Sequence, residues 1–156
     1  GKAGREILGF DGSPAAIKTS LIAHKIKLFD LTKPLRLNRL FDLCLCLELA
    51  EHLPLAAADT LIDSLTSLAD IIVFTAATPG QGPKSMGHIN EQPHQFWVKK
   101  FKASSFVYKK TLTCNIKMKM VNVKVVWWLT KNIMIFQKHG KTFKNFTGGR
   151  RIYPAR

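Results

Sequence analysis

Phe41-Asp-Leu-Cys-Leu-Cys-Leu-Glu-Leu-Ala-Glu-His-Leu53 decides how this chain is read. From Phe41 to Leu47 only Asp42 is polar, and the run stops at Glu48. A strand covered on both faces has this look, because neither face has to meet water. Pro54 then opens a helix in which Leu55, Ala58, Leu61, Ile62, Leu65 and Leu68 recur at spacings of three and four, the period of an amphipathic helix. Asp70-Ile-Ile-Val-Phe-Thr-Ala76 follows as a further buried strand. Strand, helix, strand in this order predicts an α/β fold with a mostly parallel sheet. Leu8, Leu43, Leu45, Leu47, Ile71 and Val73 are expected to be buried in it.

Upstream, Glu6-Ile-Leu-Gly-Phe-Asp11 reads as a short strand ending in an acid. Ser13 then suits a helix cap, with Pro14 at the first helical position. A second strand falls within Ala23–Phe29, ends at Asp30 and is closed by Pro34. Downstream, Thr78 to Pro93 is a 16-residue loop with three Gly and three Pro, and loops of that length in compact domains are usually functional. Gln95–Phe101 suits a helix. Phe106–Cys114, Val121–Trp127 and Asn132–Gln137 read as strands, the last ones as an antiparallel C-terminal edge, with Trp127-Trp128 in the core. Residues 1–137 make the domain. Residues 138–156 are basic, carry no period and are expected to be poorly ordered.

The 156 residues suffice for one domain with a real core. Lys and Arg number 24 against 10 Asp and Glu, net +14, and the excess is not evenly spread. Up to Thr78 there are 8 basic and 9 acidic residues; beyond it there are 16 basic residues and a lone acid, Glu91. Such asymmetry fits a solvated Lys-rich surface or weak binding of polyanions. A basic nucleic-acid-binding module would use aromatic residues of that half, Phe96, Trp97, Phe101, Phe106, Trp127 and Trp128 among them, as stacking platforms. No run approaches the ~20 apolar residues of a membrane span. The polar start, Gly1 to Phe10, reads as no secretory signal, and three cysteines without one point to a reducing, cytoplasmic compartment. Gly1 in place of Met is compatible with a processed, tagged or truncated start.

Ligands of α/β sheets bind beyond the carboxyl ends of the strands, and here those ends carry Asp11, Asp30 and Glu48. The stretch Phe41–Leu53 resembles the fourth-strand motif of class I S-adenosylmethionine-dependent methyltransferases, in which F-D-L-V-x-x-x-E-x-x-E-H-L is frequent. Gly9-Phe-Asp11 resembles the end of their second strand, and Phe29-Asp-Leu-Thr-Lys-Pro34 the end of their third. Pro79-Gly-Gln-Gly82 with Gly87-His-Ile-Asn-Glu-Gln92 is similar to a loop of some members. The resemblance runs in register from Glu6 to Phe136. It implies a three-layer Rossmann-like sandwich and S-adenosyl-L-methionine as cofactor, with an unidentified small-molecule or macromolecular methyl acceptor.

The resemblance also implies roles. Asp11, with Gly12 beside it, matches the acid that accepts hydrogen bonds from the two ribose hydroxyls; the other reading is that Asp11 caps the turn into Ser13. Asp30, with Leu31, matches the partner of the adenine amino group; the other reading is a turn acid before Thr32. Glu48 matches the methyl-donor end. His88 is the candidate base at the acceptor, and Glu51 and His52 complete the candidate catalytic group. Glu48, Glu51 and His52, joined by His88, also resemble the Mg²⁺-type cluster of small-RNA 2′-O-methyltransferases and some quinone-pathway O-methyltransferases; the reading adopted here is that no metal is held and Glu51-His52 caps the next helix. The family's first strand and glycine-rich G-x-G-x-G turn have no counterpart, since only Gly1-Lys-Ala-Gly4 precedes Glu6. The chain is therefore expected to be an N-terminally truncated domain, or an inactive remnant, with a gap in the sheet between the second and fourth strands.

Overall fold

The computed structural model describes residues 6–82, 86–121 and 127–142. Two sheets are present among them. β1 (Gly9–Asp11) and β2 (Ile26–Leu28) form a parallel pair joined by α1 (Pro14–Thr19). Ser13 sits in extended backbone and its hydroxyl accepts from Ala16 N at 3.2 Å, so α1 starts as its cap residue and Pro14 dictate. The second sheet holds β3 (Cys44–Cys46), β4 (Ile71–Phe74), β5 (Phe106–Tyr108) and β6 (Met134–Lys138), in the order β3-β4-β6-β5. β3 and β4 run parallel, and a parallel bridge from Phe41 to Ala69 extends their pairing. β6 is antiparallel to both of its neighbours, β4 and β5. The sheet is thus mixed, and the reversed strand lies inside it, not at its edge.

The core lies on one face of this sheet. α2 (Ala58–Leu68) and α3 (His94–Ala103) bring Leu61, Ile62, Leu65, Trp97 and Phe101 against Cys46, Ile72, Phe74 and Phe136. Phe74 is the hub, with ring centroids of Trp97, Phe101 and Phe136 at 5.1, 5.4 and 6.5 Å. Phe101 stacks on Phe136 at 3.9 Å. Four aromatic rings with no exposed surface make this the largest concentration of buried apolar area in the described chain.

Several expectations fail here, each for a physical reason. Leu43, Leu45 and Leu47 are 39, 59 and 45% exposed, and Ile71 and Val73 are half-buried. Leu45 pairs with Val73, so these residues do share one face; α2 and α3 cover the other, where Cys46, Ile72 and Phe74 lie. β3 is an edge strand among the described residues, which leaves the leucine face without a second layer at that end. β5 stops at Tyr108, and Lys110–Met120 is a helix, α4, that packs along β6. Leu112, Ile116 and Met120 recur every fourth residue there, a helical period hidden by Thr and Cys at strand-like alternation. Of the strand expected over Val121–Trp127, residues 122–126 lie outside the described residues, and Trp127–Asn132 forms a helix, α5. Trp127 is 55% exposed and not core. β6 carries one residue past the expected domain limit, and residues 143–156 of the basic segment lie outside the described residues.

Phe74→Ala should cost about 3–5 kcal/mol in denaturant unfolding, while Leu45→Ser should cost less than about 0.5 kcal/mol as an exposed substitution; the reverse order would invert the assignment of faces. Burial pushes the Cys44 thiol up to about 11 and that of Cys46 well above its usual value, whereas Cys114 is exposed. Only the thiolate reacts. Alkylation of the native protein at pH 8 should therefore label Cys114 quickly and Cys44 and Cys46 only on unfolding, as peptide mass mapping would show.

Candidate functional site

The carboxyl ends of β1, β2 and β3 converge on one cleft of about 820 Å³. Asp11, Gly12, Asp30, Leu31 and Glu48, the five residues assigned to the cofactor, all line it. The register explains the first four: Asp11 pairs with Leu28, and Phe29 N donates to Asp11 O at 3.0 Å, so both acids leave their strands at the same level. Leu28, Phe29, Pro14, Leu49 and Leu53 give the cleft apolar walls, the usual composition of a small-molecule site with a few polar groups.

Both aspartates make the turn contacts that were the alternative reading of them. Asp11 Oδ1 accepts from Ser13 N at 2.7 Å. Asp30 Oδ1 accepts from Thr32 Oγ1 at 2.6 Å and from Thr32 N at 3.0 Å. These bonds, the Thr32 hydroxyl foremost, hold the Asp30 carboxyl below its ordinary pKa, so it is ionised at neutral pH. In each case the turn engages one oxygen, and Oδ2 has no hydrogen bond among the described residues.

Glu48 has φ +49°, a left-handed conformation that a non-glycine residue seldom adopts. Its N–H donates to Thr75 Oγ1 at 2.8 Å and to Thr75 O at 3.3 Å, and Thr75 N donates to Cys46 O at 2.9 Å. Its Oε1 accepts from Asn132 Nδ2 at 3.3 Å. Thr75 and Asn132 are fully buried. Neither stood out in the sequence, because a Thr at a strand end and an Asn at a helix end look like ordinary punctuation.

Glu51 and His88 do not line the cleft, whereas His52 does. Glu51 is fully buried; its Oε1 accepts from Ala77 N at 3.0 Å and its Oε2 is buried without a partner among the described residues. Burial pushes its carboxyl above the ordinary range. Donor atoms of Glu51, His52 and His88 lie within 4.8 Å of one another, while Glu48 stands outside this group. Of the four residues that the resemblance grouped, the structure brings three together. The loop that bears His88 is organised by Glu91. Its carboxylate accepts from Gly80 N at 2.7 Å, Gly82 N at 2.9 Å and His88 Nδ1 at 2.8 Å, and the bond from His88 is the main reason its pKa is lowered. Glu91 had one visible signal, as the lone acid of a basic half.

Of the aromatic residues named for a nucleic-acid module, Trp127 is 55% exposed. Trp97, Phe101 and Phe106 are buried, and Phe96 and Tyr108 pack against the core. No described helix is long and apolar enough to cross a membrane.

No protein-family model matches the chain, and no curated protein matches it. Among solved structures it is similar to the O-methyltransferase from the trans-AT PKS multienzyme of Brevibacillus brevis, determined in complex with S-adenosyl-L-homocysteine. The TM-score is 0.51 at 13% sequence identity, over 83% of this chain and 57% of that one. The likeness is one of fold, and the chain spans little more than half of that structure.

Glu91→Ala removes the acceptor of three donors and should destabilise the protein by about 1–3 kcal/mol. Faster amide exchange at Gly80 and Gly82, with α3 unaffected, would identify the loop as the part released; unchanged exchange there would deny Glu91 its organising role.

Proposed function

We propose that the chain is the nucleoside-holding part of an S-adenosyl-L-methionine-dependent methyltransferase. The observation that carries this reading is the convergence of Asp11, Asp30 and Glu48 on one apolar-walled cleft at the carboxyl ends of parallel strands. The similarity in fold to an O-methyltransferase supports it. The residues present suit an adenosine: Oδ2 of Asp11 is free to accept from vicinal ribose hydroxyls. Asp30, kept ionised by Thr32, is suited to the adenine amino group, and Leu31 and Phe29 to the flat faces of the base. Glu48 would lie toward the methionine end.

When bound, S-adenosyl-L-methionine supplies an activated methyl group. The chain's own part is to bind, orient and exclude water, which is where most of the rate gain in such a transfer arises. His88 would stand at the acceptor side. Glu91 accepts its Nδ1–H, which leaves Nε2 with a lone pair to take a proton from a hydroxyl acceptor. An acceptor that needs no deprotonation would need only the positioning.

The same reading accounts for the two separate sheets. Among the described residues β1 and β3 are both edges, and both reach the cleft. A strand paired with each would join the order β2-β1 to β3-β4-β6-β5, and the helix after it would cover Leu43, Leu45 and Leu47. That is the position of the family's first strand, whose glycine-rich turn approaches the methionine moiety. The cofactor site of the 156 residues is on this account incomplete at that end.

Isothermal calorimetry with S-adenosyl-L-homocysteine tests the reading. Asp11→Ala should weaken binding by about 1.5–3 kcal/mol, the scale of a lost bond to a charged group, and Asp30→Ala should weaken it as well, neither lowering thermal stability by more than a few degrees. Equal affinity in wild type and both variants would make the two acids turn residues only, and absence of binding at saturating ligand would overturn the reading for this chain.

A further inference from the structure

We propose that the adjoining ends of α4 and α5 are a docking surface for an anionic phospholipid bilayer. Met118, Val121 and Trp127 enter the headgroup boundary, and the lysines around them meet the lipid phosphates. The first ground is clustering. Beyond Glu91 four large apolar side chains are exposed among the described residues, Val107, Met118, Val121 and Trp127, and all but Val107 lie at this one place. Lys117 Nζ donates to Lys131 O at 2.7 Å, which ties α4 to α5. Val121 follows Lys117 by four residues and Trp127 precedes Lys131 by four, in each case one helical turn or ~6 Å.

The helical period sets lysines around the apolar residues. The inner side of α4 is fixed by Thr113, which is fully buried and accepts from Ile135 N of β6 at 3.1 Å. Met118 lies on the outer side and is 66% exposed. Lys117 and Lys119 flank it, each about 100° around the helix. Val121 is 67% exposed, and Lys110 stands on the same stripe, about three turns before it. The Trp127 ring rests edge to face on Trp128, with centroids 6.0 Å apart, and its own faces are left to solvent. No acid offsets these charges locally. Glu91 is the last Asp or Glu of the sequence, and no ion pair among the described residues includes Lys110, Lys117, Lys119 or Lys131.

The side chains choose the occupant. Met118 and Val121 have no flat face on which a base could stack, so nucleic acid would leave them in water, whereas a hydrocarbon boundary takes them out of it. Lysine is depleted in the interfaces between proteins. Beside Trp and aliphatic residues it is the residue of a helix lying in a bilayer surface, where its amine reaches the phosphates over an apolar stem. No described helix is long and apolar enough to cross a membrane, and the contact is one with the surface only. None of these residues lines the strand-end cleft, so the inference stands apart from the methyltransferase reading and its test is run without cofactor.

Co-sedimentation with vesicles of one part phosphatidylglycerol to two parts phosphatidylcholine tests the proposal. The protein should bind these vesicles, ignore pure phosphatidylcholine, and be released as added salt screens the charges. Including phosphatidylcholine brominated on its acyl chains should quench Trp127 emission, read as the difference between wild type and Trp127→Phe. Met118→Gln and Val121→Asn keep the charge and should each weaken vesicle binding about 10-fold. Lys110→Gln and Lys119→Gln should each weaken it about fivefold, and Val107→Asn on β5 should leave it unchanged. All the substituted side chains are exposed, and far-UV circular dichroism checks that each variant is folded. Absence of vesicle binding, no quenching by brominated lipid, or binding indifferent to Met118→Gln and Val121→Asn would each overturn the proposal. Binding of single-stranded RNA that is lost with the same two variants would assign the surface to nucleic acid and overturn it as well.

Discussion

The hydrogen bonds that tie the end of β3 to the end of β4 hold the site in place. Cys46 O accepts from Thr75 N, and Glu48 N donates to both oxygens of Thr75. With its N–H committed, Glu48 stays in a left-handed conformation that costs of order 1–3 kcal/mol. That turn ends the strand and starts the short helical turn Ala50–His52, which carries Glu51 inward and leaves His52 at the cleft. Two residues further along β4's exit, Ala77 N meets the Glu51 carboxylate. The strand ends and both histidines thus share one frame.

That frame rests on a core packed from one side. The aromatic cluster around Phe74 clamps β4 and β6 against α2 and α3, and β4 in turn fixes Thr75. On the other face the leucines of β3 meet solvent. An exposed apolar edge strand is a hazard that folded proteins normally cover. It lies beside a second sheet of two parallel strands, and both sheets reach the same cleft.

Much of this was legible in the sequence, and what was not has identifiable causes. The strand ends Asp11, Asp30 and Glu48 were readable because an acid after a short apolar run marks where a strand leaves a sheet. Ser13-Pro14 and the leucine spacing of α2 were readable because caps and helical periods are local. Which face of β3 is covered was not, since Leu43, Leu45, Leu47 and Cys44, Cys46 are all apolar and only the neighbouring helices decide. α4 was missed because Thr111, Thr113 and Cys114 favour strands, and packing along β6 overrode that preference. The pairing of Glu91 with His88 spans a single loop turn, yet it is visible only once Gly80 and Gly82 have turned the chain back. Thr75 and Asn132 act on Glu48 from 27 and 84 residues away, beyond any local pattern.

The central claim is that the cleft between the strand ends holds a nucleoside. A ¹H–¹⁵N correlation spectrum recorded during titration with S-adenosyl-L-homocysteine tests it most directly, because it locates the contact residue by residue. The amides of Gly12, Leu31 and Leu49 should shift together and saturate together, with those of α4 unmoved. Shifts confined to the lysine-rich helices, or none at the three cleft amides at saturating ligand, would contradict it.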